Sequence, residues 1–243
     1  MVETAKKGKR RVGRLVFVLL SVYFLVTAGI AATNIISTQR GYAQAQDEYR
    51  VLRQYAPQDL ATISHGAIAN TQFAELLSIN PEFIGWISIE GTSVDYPVVL
   101  GRDNSTYLYT TFSGEENYSG AVFMDYRSTE GFESAVSIIY AHNMKDGSMF
   151  ADLNELLDNQ YREAHPKIVI VDLDGVTHHY SIHYVKLTDM YDEVYGVPGK
   201  NSDDGDEILK SLGFPPGVKA ILLSTCTNSG ASTERLLIYA VEK

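Results

Sequence analysis

Between Leu15 and Ile36 the chain runs 22 residues without a charged side chain, and this run limits its possible folds more than any other feature. About 20 apolar residues cross the hydrocarbon core of a bilayer as a helix. A helix is also the only conformation in which a lone apolar segment satisfies its own backbone groups there. Residues 1–14 ahead of it carry six basic side chains (Lys6, Lys7, Lys9, Arg10, Arg11, Arg14) against one acid, Glu3. A secretory signal peptide has the same order of parts, but its apolar region is typically about 7 to 15 residues. The greater length favours an uncleaved anchor, although the small residues from Ala28 to Ala32 leave cleavage open. The positive-inside rule keeps the basic tail cytoplasmic and sends everything after about Ser37 outside. The expected organisation is a basic tail over 1–14, a transmembrane anchor over 15–36, a helical segment over 37–80 and a β-rich domain over 81–243.

Without residues 1–14 the chain holds 14 basic and 29 acidic side chains, a formal charge of about −15. Such a surface repels a phosphate backbone, so a nucleic-acid partner is not expected. The roughly 205 residues beyond the anchor suffice for one domain with its own core. Cys226 is the only cysteine of the whole chain, so no internal disulfide can form in this exported part. A lone thiol is commonly a small buried hydrophobe. This one sits where the apolar run Val218 to Leu223 ends, at the mouth of an expected strand.

Two helices are expected after the anchor, over Gly41 to Tyr55 and Asp59 to Ile79, with Pro57 between them. Asn80-Pro81 ends the second, since the residue before proline disfavours helical geometry. From Gly85 the pattern changes to short β-rich runs between turn residues: Gly85 to Glu90, Val94 to Leu100, Ala121 to Asp125, Ala135 to Tyr140, Lys167 to Leu173, Thr177 to Leu187, Val218 to Ser224 and Arg235 to Val241. Eight such runs predict a closed or nearly closed β-barrel rather than a βαβ fold. Asp174-Gly175 reads as a hairpin turn. Helical pattern interrupts the strands at Ser148 to Leu157 and at Asp203 to Leu212.

A thiol attacks as a thiolate, which requires a nearby cation or base. His142 follows an apolar strand just as Cys226 ends one, so both could project from one rim of a barrel. Arg235 opens the strand after Cys226, and a hairpin with its loop over Thr227 to Glu234 returns the guanidinium toward the sulfur. A permanently protonated group with several donors suits a developing oxyanion.

The residues around these three resemble those of the sortases, and within them class B. Leu223-Ser224-Thr225-Cys226 matches the end of a Thr-Leu-X-Thr-Cys signature, with Arg235 as the downstream arginine and Leu222 in place of the first threonine. Class B character lies in Asn80-Pro81-Glu82-Phe83-Ile84-Gly85-Trp86-Ile87, Asp95-Tyr96-Pro97-Val98-Val99, Asp103-Asn104-Ser105-Thr106-Tyr107-Leu108 and the block Tyr140 to Phe150. The resemblance implies an eight-stranded sortase-type β-barrel, mainly β, with N-terminal helices and a helical insertion before the seventh strand. It implies a cysteine transpeptidase that needs no cofactor or metal and cleaves a C-terminal sorting signal, of Asn-Pro-X-Thr type, after its threonine. By the same resemblance Cys226 forms the thioester, His142 moves the protons and Arg235 steadies the oxyanion. Asn104, Leu108, Ser224 and Thr225 would contact the sorting peptide, with Tyr191 or Tyr195 lining the pocket. The acyl group would pass to an amine of a peptidoglycan precursor, or to a lysine amine of a pilin.

Other readings predict different features. Cysteine hydrolases of papain or amidase type place the cysteine before the histidine and at a helix start, where the dipole favours the thiolate. A non-enzymatic surface protein would keep every function with Cys226 replaced by serine. His179 and His183, on one strand face, lie about 13 Å apart at ~3.4 Å per residue, too far for one ion, so His178, His179 and His183 read as a solvated barrel face. The acidic run Asp203-Asp204-Gly205-Asp206-Glu207 has its glycine misplaced for an EF-hand loop and reads as a helix start.

Overall fold

The computed structural model describes residues 2–57, 69–197, 202–229 and 231–243. The chain divides into two units, Met1–Ala43 and Gln44–Lys243. The first is part of α1 (Val2–Leu52), where Phe17, Phe24 and Leu25 lie exposed. By length and composition this helix can cross a membrane. Nothing separates it from the helix expected after Gly41. Ser37 and Thr38 bond back to the Asn34 carbonyl, and one interior glycine costs only about 1 kcal/mol, too little to stop so long a helix. Part of the second expected helix, from Asp59, lies outside the described residues; its remainder is α2 (Ala69–Ile79).

All eight expected strands form, as β1 (Phe83–Ser88), β2 (Asp95–Val99), β3 (Val122–Met124), β4 (Val136–Tyr140), β5 (Lys167–Asp172), β6 (Thr177–Asp189), β7 (Ala220–Cys226) and β8 (Glu234–Glu242). They close into a barrel in the order β1-β2-β3-β4-β7-β8-β6-β5. β2 pairs parallel with β3 and β4 parallel with β7, while the remaining pairs are antiparallel. Closure leaves no strand of the barrel, among the described residues, without a neighbour on either side. The β5–β6 turn is the expected one, with Gly175 at a φ of +76°.

Along β7 every residue before Cys226 is buried, so both faces are covered. The inner face packs inside the barrel. The outer face carries Leu222, which with Val136, Ile138, Leu237 and Tyr239 lies under Val194, Ile208, Leu209 and Phe214 of the segment between β6 and β7. That segment holds a 3-10 turn (Glu193–Gly196) and α4 (Ser202–Ser211), the helix opened by the acidic run. Leu222 is therefore an apolar anchor for this insertion, a place where threonine would present an unpaired hydroxyl. Asn80, at the end of α2, accepts from the Glu82 amide (2.8 Å) and donates to the Phe112 carbonyl (2.8 Å), so the helix stops where the barrel begins.

Two features depart from expectation. Ser148 to Leu157 is helical only as a 3-10 stretch (Ala151–Leu157), followed by a short α3 (Asn159–Ala164) that Asp158 caps through the Tyr161 amide at 2.9 Å. His178 is buried rather than on a solvated face. Its Nδ1 lies 2.7 Å from Glu242 and its Nε2 lies 3.1 Å from Asp172, whereas His179 is exposed.

Candidate active site

Cys226 closes β7, and its register partner is Arg235 at the start of β8. Directly opposed residues in an antiparallel ladder share a face, with Cβ atoms about 4.5–5.5 Å apart. The hairpin thus starts both side chains from one face of the sheet. On the other flank of β7, β4 runs parallel with Tyr140 opposite Ser224, and the Ala141 amide donates to the Ser224 carbonyl at 3.3 Å. The pairing ends there, and His142 follows in the loop two residues past Tyr140, as Cys226 ends β7 two residues past Ser224, so both lie at the same end of the β4–β7 pair. Asn143 closes this end by donating to the Cys226 carbonyl at 3.1 Å. Cys226 and His142 are both half-buried.

The imidazole is oriented by a backbone group. Nε2 of His142 lies 2.8 Å from the Leu108 carbonyl, which can only accept, so that nitrogen carries the proton. Nδ1 remains to take or give one. Gly120 shapes the carbonyl's surroundings: it holds a φ of +58°, and a Cβ there would meet the Leu108 oxygen at 2.9 Å. Arg235 turns its Nη1 to the Ser232 and Glu234 carbonyls at 2.9 and 3.0 Å, which braces the guanidinium against its own turn.

Of the other expected residues, Ser224 and Tyr195 meet directly, hydroxyl to hydroxyl at 2.9 Å, on the face that Cys226 shares by strand alternation. Tyr195 also lies within electrostatic reach of Arg235 and Cys226. Burial pushes its phenol up, with the Ser224 hydrogen bond opposing. Leu108 reaches the site through its carbonyl on His142. The Asn104 amide donates to Asp125 at 2.8 Å and its oxygen accepts from the Tyr126 amide at 3.0 Å. Thr225 points the other way: it is 2% exposed, on the opposite face of β7, so its side chain does not join the others. Tyr191 stands 78% exposed on the turn after β6.

The sequence reading missed Asp125 and Arg127. The Asp125 carboxylate is fully buried and accepts from Nε and Nη2 of Arg127 at 2.8 Å each, from Asn104, and from the Tyr140 hydroxyl at 2.9 Å. Burial alone would raise this carboxyl, and these donors outweigh it, holding it below the ordinary carboxylate range. The available signal was a charged pair directly after the buried strand Val122–Met124. A cleft of about 500 Å³ opens elsewhere, lined by Glu90, Asp95, Lys167 and His179, and includes none of the expected site residues.

A thiol at a strand end, cross-strand from an arginine, is unlike the helix-start cysteine of papain-type hydrolases. The sequence profile of the Sortase domain matches residues 87–243, well over half the chain. The chain belongs to the sortase family, class B. It is 25% identical over 233 residues to Sortase B of Staphylococcus aureus, covering 91% of this chain and 94% of that protein. Against Sortase B of Listeria monocytogenes it is 41% identical over 108 residues, a match spanning 44% of either chain. A structure of Bacillus anthracis sortase B in complex with AAEK1 superposes with a TM-score of 0.71 at 25% identity, covering 84% of this chain and 98% of that one. A Staphylococcus aureus sortase B–substrate complex gives 0.69 at 25% identity, covering 83% and 97%. This sortase accordingly has the eight-stranded barrel of its class, and its family are cysteine transpeptidases.

Proposed function

We propose that the protein is a membrane-anchored transpeptidase that cuts the C-terminal sorting signal of exported proteins after its threonine and passes the acyl group to an amine of a cell-wall precursor. The cross-strand pairing of Cys226 with Arg235, beside the strand leading into His142, carries this reading. Cys226 gives its thiol proton to Nδ1 of His142, the thiolate attacks the threonyl carbonyl, and the electron pair moves to oxygen, opposite the Arg235 guanidinium. Collapse expels the amine, which takes its proton from Nδ1 of His142, and leaves a thioester. An incoming amine gives a proton back to Nδ1 as it attacks. The thioester opens to an amide and the thiolate returns. Asn104, Leu108, Ser224 and Tyr195 form the walls of the peptide groove in this reading.

The apolar run of α1 behind a basic tail supports an anchor with the catalytic unit outside, where lipid-linked amines are met. The test uses a set of Asn-Pro-X-Thr peptides with an added amine. The wild type is expected to yield amide product with the acyl part ending in threonine. Cys226→Ala and His142→Ala are expected to lose at least about a thousandfold in kcat/KM, as removal of a nucleophile or its base does. Free acid as the sole product, or activity surviving in Cys226→Ala, would overturn the reading.

A further inference from the structure

The buried carboxylate missed in the sequence bonds one wall of the groove directly and reaches the other through Arg127 and Tyr140. Asn104 comes from the segment between β2 and β3, and Tyr195 from the 3-10 turn between β6 and β7. Asn104 donates to Asp125 directly. Tyr195 is reached twice. Its carbonyl accepts from Nη2 of Arg127 at 2.7 Å, and its ring stacks on Tyr140 with centroids 6.3 Å apart and planes 20° apart. Tyr140 in turn donates its hydroxyl to the same Asp125 oxygen that takes Asn104. Arg127 engages the carboxylate through two nitrogens, which fixes the guanidinium plane and so the direction of the donor aimed at Tyr195. A buried ion pair gives little net stability against an apolar filling and is best understood where it specifies geometry.

We propose that Asp125 and Arg127 are positioning residues that latch the turn carrying Tyr195 to the barrel, and so set the width of the groove that receives the sorting peptide. This rests on the transpeptidase reading above and deepens it: Arg127 acts through Tyr195 on substrate binding, not on the thiol. The reaction of Cys226 with a small alkylating agent in the absence of peptide is therefore independent of the latch.

The test compares wild type, Arg127→Ala, Arg127→Lys and Cys226→Ala in the full chain, using the best-cleaved Asn-Pro-X-Thr peptide, iodoacetamide, and hydrogen exchange of the Val194 to Val197 amides. Arg127→Ala is expected to raise KM about tenfold, the worth of roughly one charge-assisted hydrogen bond, with kcat within about twofold. The iodoacetamide rate should not move. Added guanidinium ion should lower KM again, because the Arg127 side chain is 31% exposed and its place is open to solvent. Lysine, a point charge that cannot bridge carboxylate and carbonyl in one plane, should restore little. Exchange at Val194 to Val197 should quicken in Arg127→Ala and not in Cys226→Ala. An unchanged KM with unchanged exchange sinks the latch, as does a parallel fall in kcat and alkylation rate, which marks general damage. Activity surviving in Cys226→Ala sinks the transpeptidase reading instead, and the exchange result still judges the latch.

Discussion

Two carboxylates, Asp125 buried and Asp172 partly exposed, sit in different parts of the barrel wall, each with a cationic partner, and they do different work. Asp125 beside the site binds a guanidinium, the Asn104 loop and Tyr140 of β4, and through Arg127 the turn of Tyr195. Asp172 in the other cluster shares His178 with Glu242, and all three lie on paired strands, β5, β6 and β8. One cluster orients what the strands present; the other clamps strands to one another. Their cations differ in kind as well. A guanidinium stays charged at any pH the protein meets, whereas an imidazole loses its charge near neutrality. The barrel thus holds its site with a permanent charge and leaves the titrating one elsewhere.

Asp125→Ala should break this contrast most severely. It strips partners from Arg127, Asn104 and Tyr140 together, and removing one member of a buried pair costs about 3–5 kcal/mol, the lower end applying because Arg127 is partly exposed. Denaturant titration at pH 6 and pH 9 should give the same loss, since no partner titrates between them. KM for the peptide should rise beyond that of Arg127→Ala, because both walls are released. A loss confined to stability, with KM as in wild type, would reduce the site cluster to a second strand clamp.

The other cluster sharpens the comparison through pH. The Asp172 hydrogen bond raises the His178 pKa; burial opposes it and Glu242 adds to it. A raised imidazole stabilises fully below its unfolded value of about 6.5 and stops doing so as pH climbs through the folded value. For Asp172, burial pushes upward but the His178 and Val176 donors outweigh it, so its pKa is lowered. That contribution is present above about 3.9 and is lost as pH falls through the folded value. The cluster is therefore strongest between about pH 4 and 6.5. Melting temperature should decline from pH 6.5 to 9 in the wild type, and His178→Gln should remove most of that slope at a cost of about 2 kcal/mol near pH 6. An unchanged slope in His178→Gln would assign the titration to another group.

How far each cluster could be read beforehand follows from sequence separation. The strands were legible from period-two runs and turn residues, and Cys226 with Arg235 from a hairpin only nine positions long. His142 came from the end of a neighbouring apolar strand. Asp125, in contrast, finds its partners at positions 104, 127 and 140, with Arg127 reaching on to 195, and nothing local signals that these converge. His178 read as a solvated face because strand alternation does not say which neighbours carry carboxylates. The six-residue α3 is too short for any helical period to emerge. Leu222 stood out as a departure from the family's threonine, and only the insertion lying over it explains the leucine.

The mildest prediction asks which end of Tyr195 matters. Ser224→Ala removes the hydroxyl partner at 2.9 Å but leaves the Tyr195 carbonyl on Arg127 and its ring on Tyr140. A neutral hydrogen bond lost inside the protein costs about 1 kcal/mol, and the tyrosine hydroxyl can turn toward water at the groove. Stability should therefore fall by about that amount and KM rise less than about threefold, well short of Arg127→Ala. Should the serine variant equal or exceed the arginine variant in KM, the groove is set by the phenol against β7 rather than by the backbone against the ion pair. The site cluster would then owe its effect to β7 itself, and its contrast with the strand-clamping histidine would disappear.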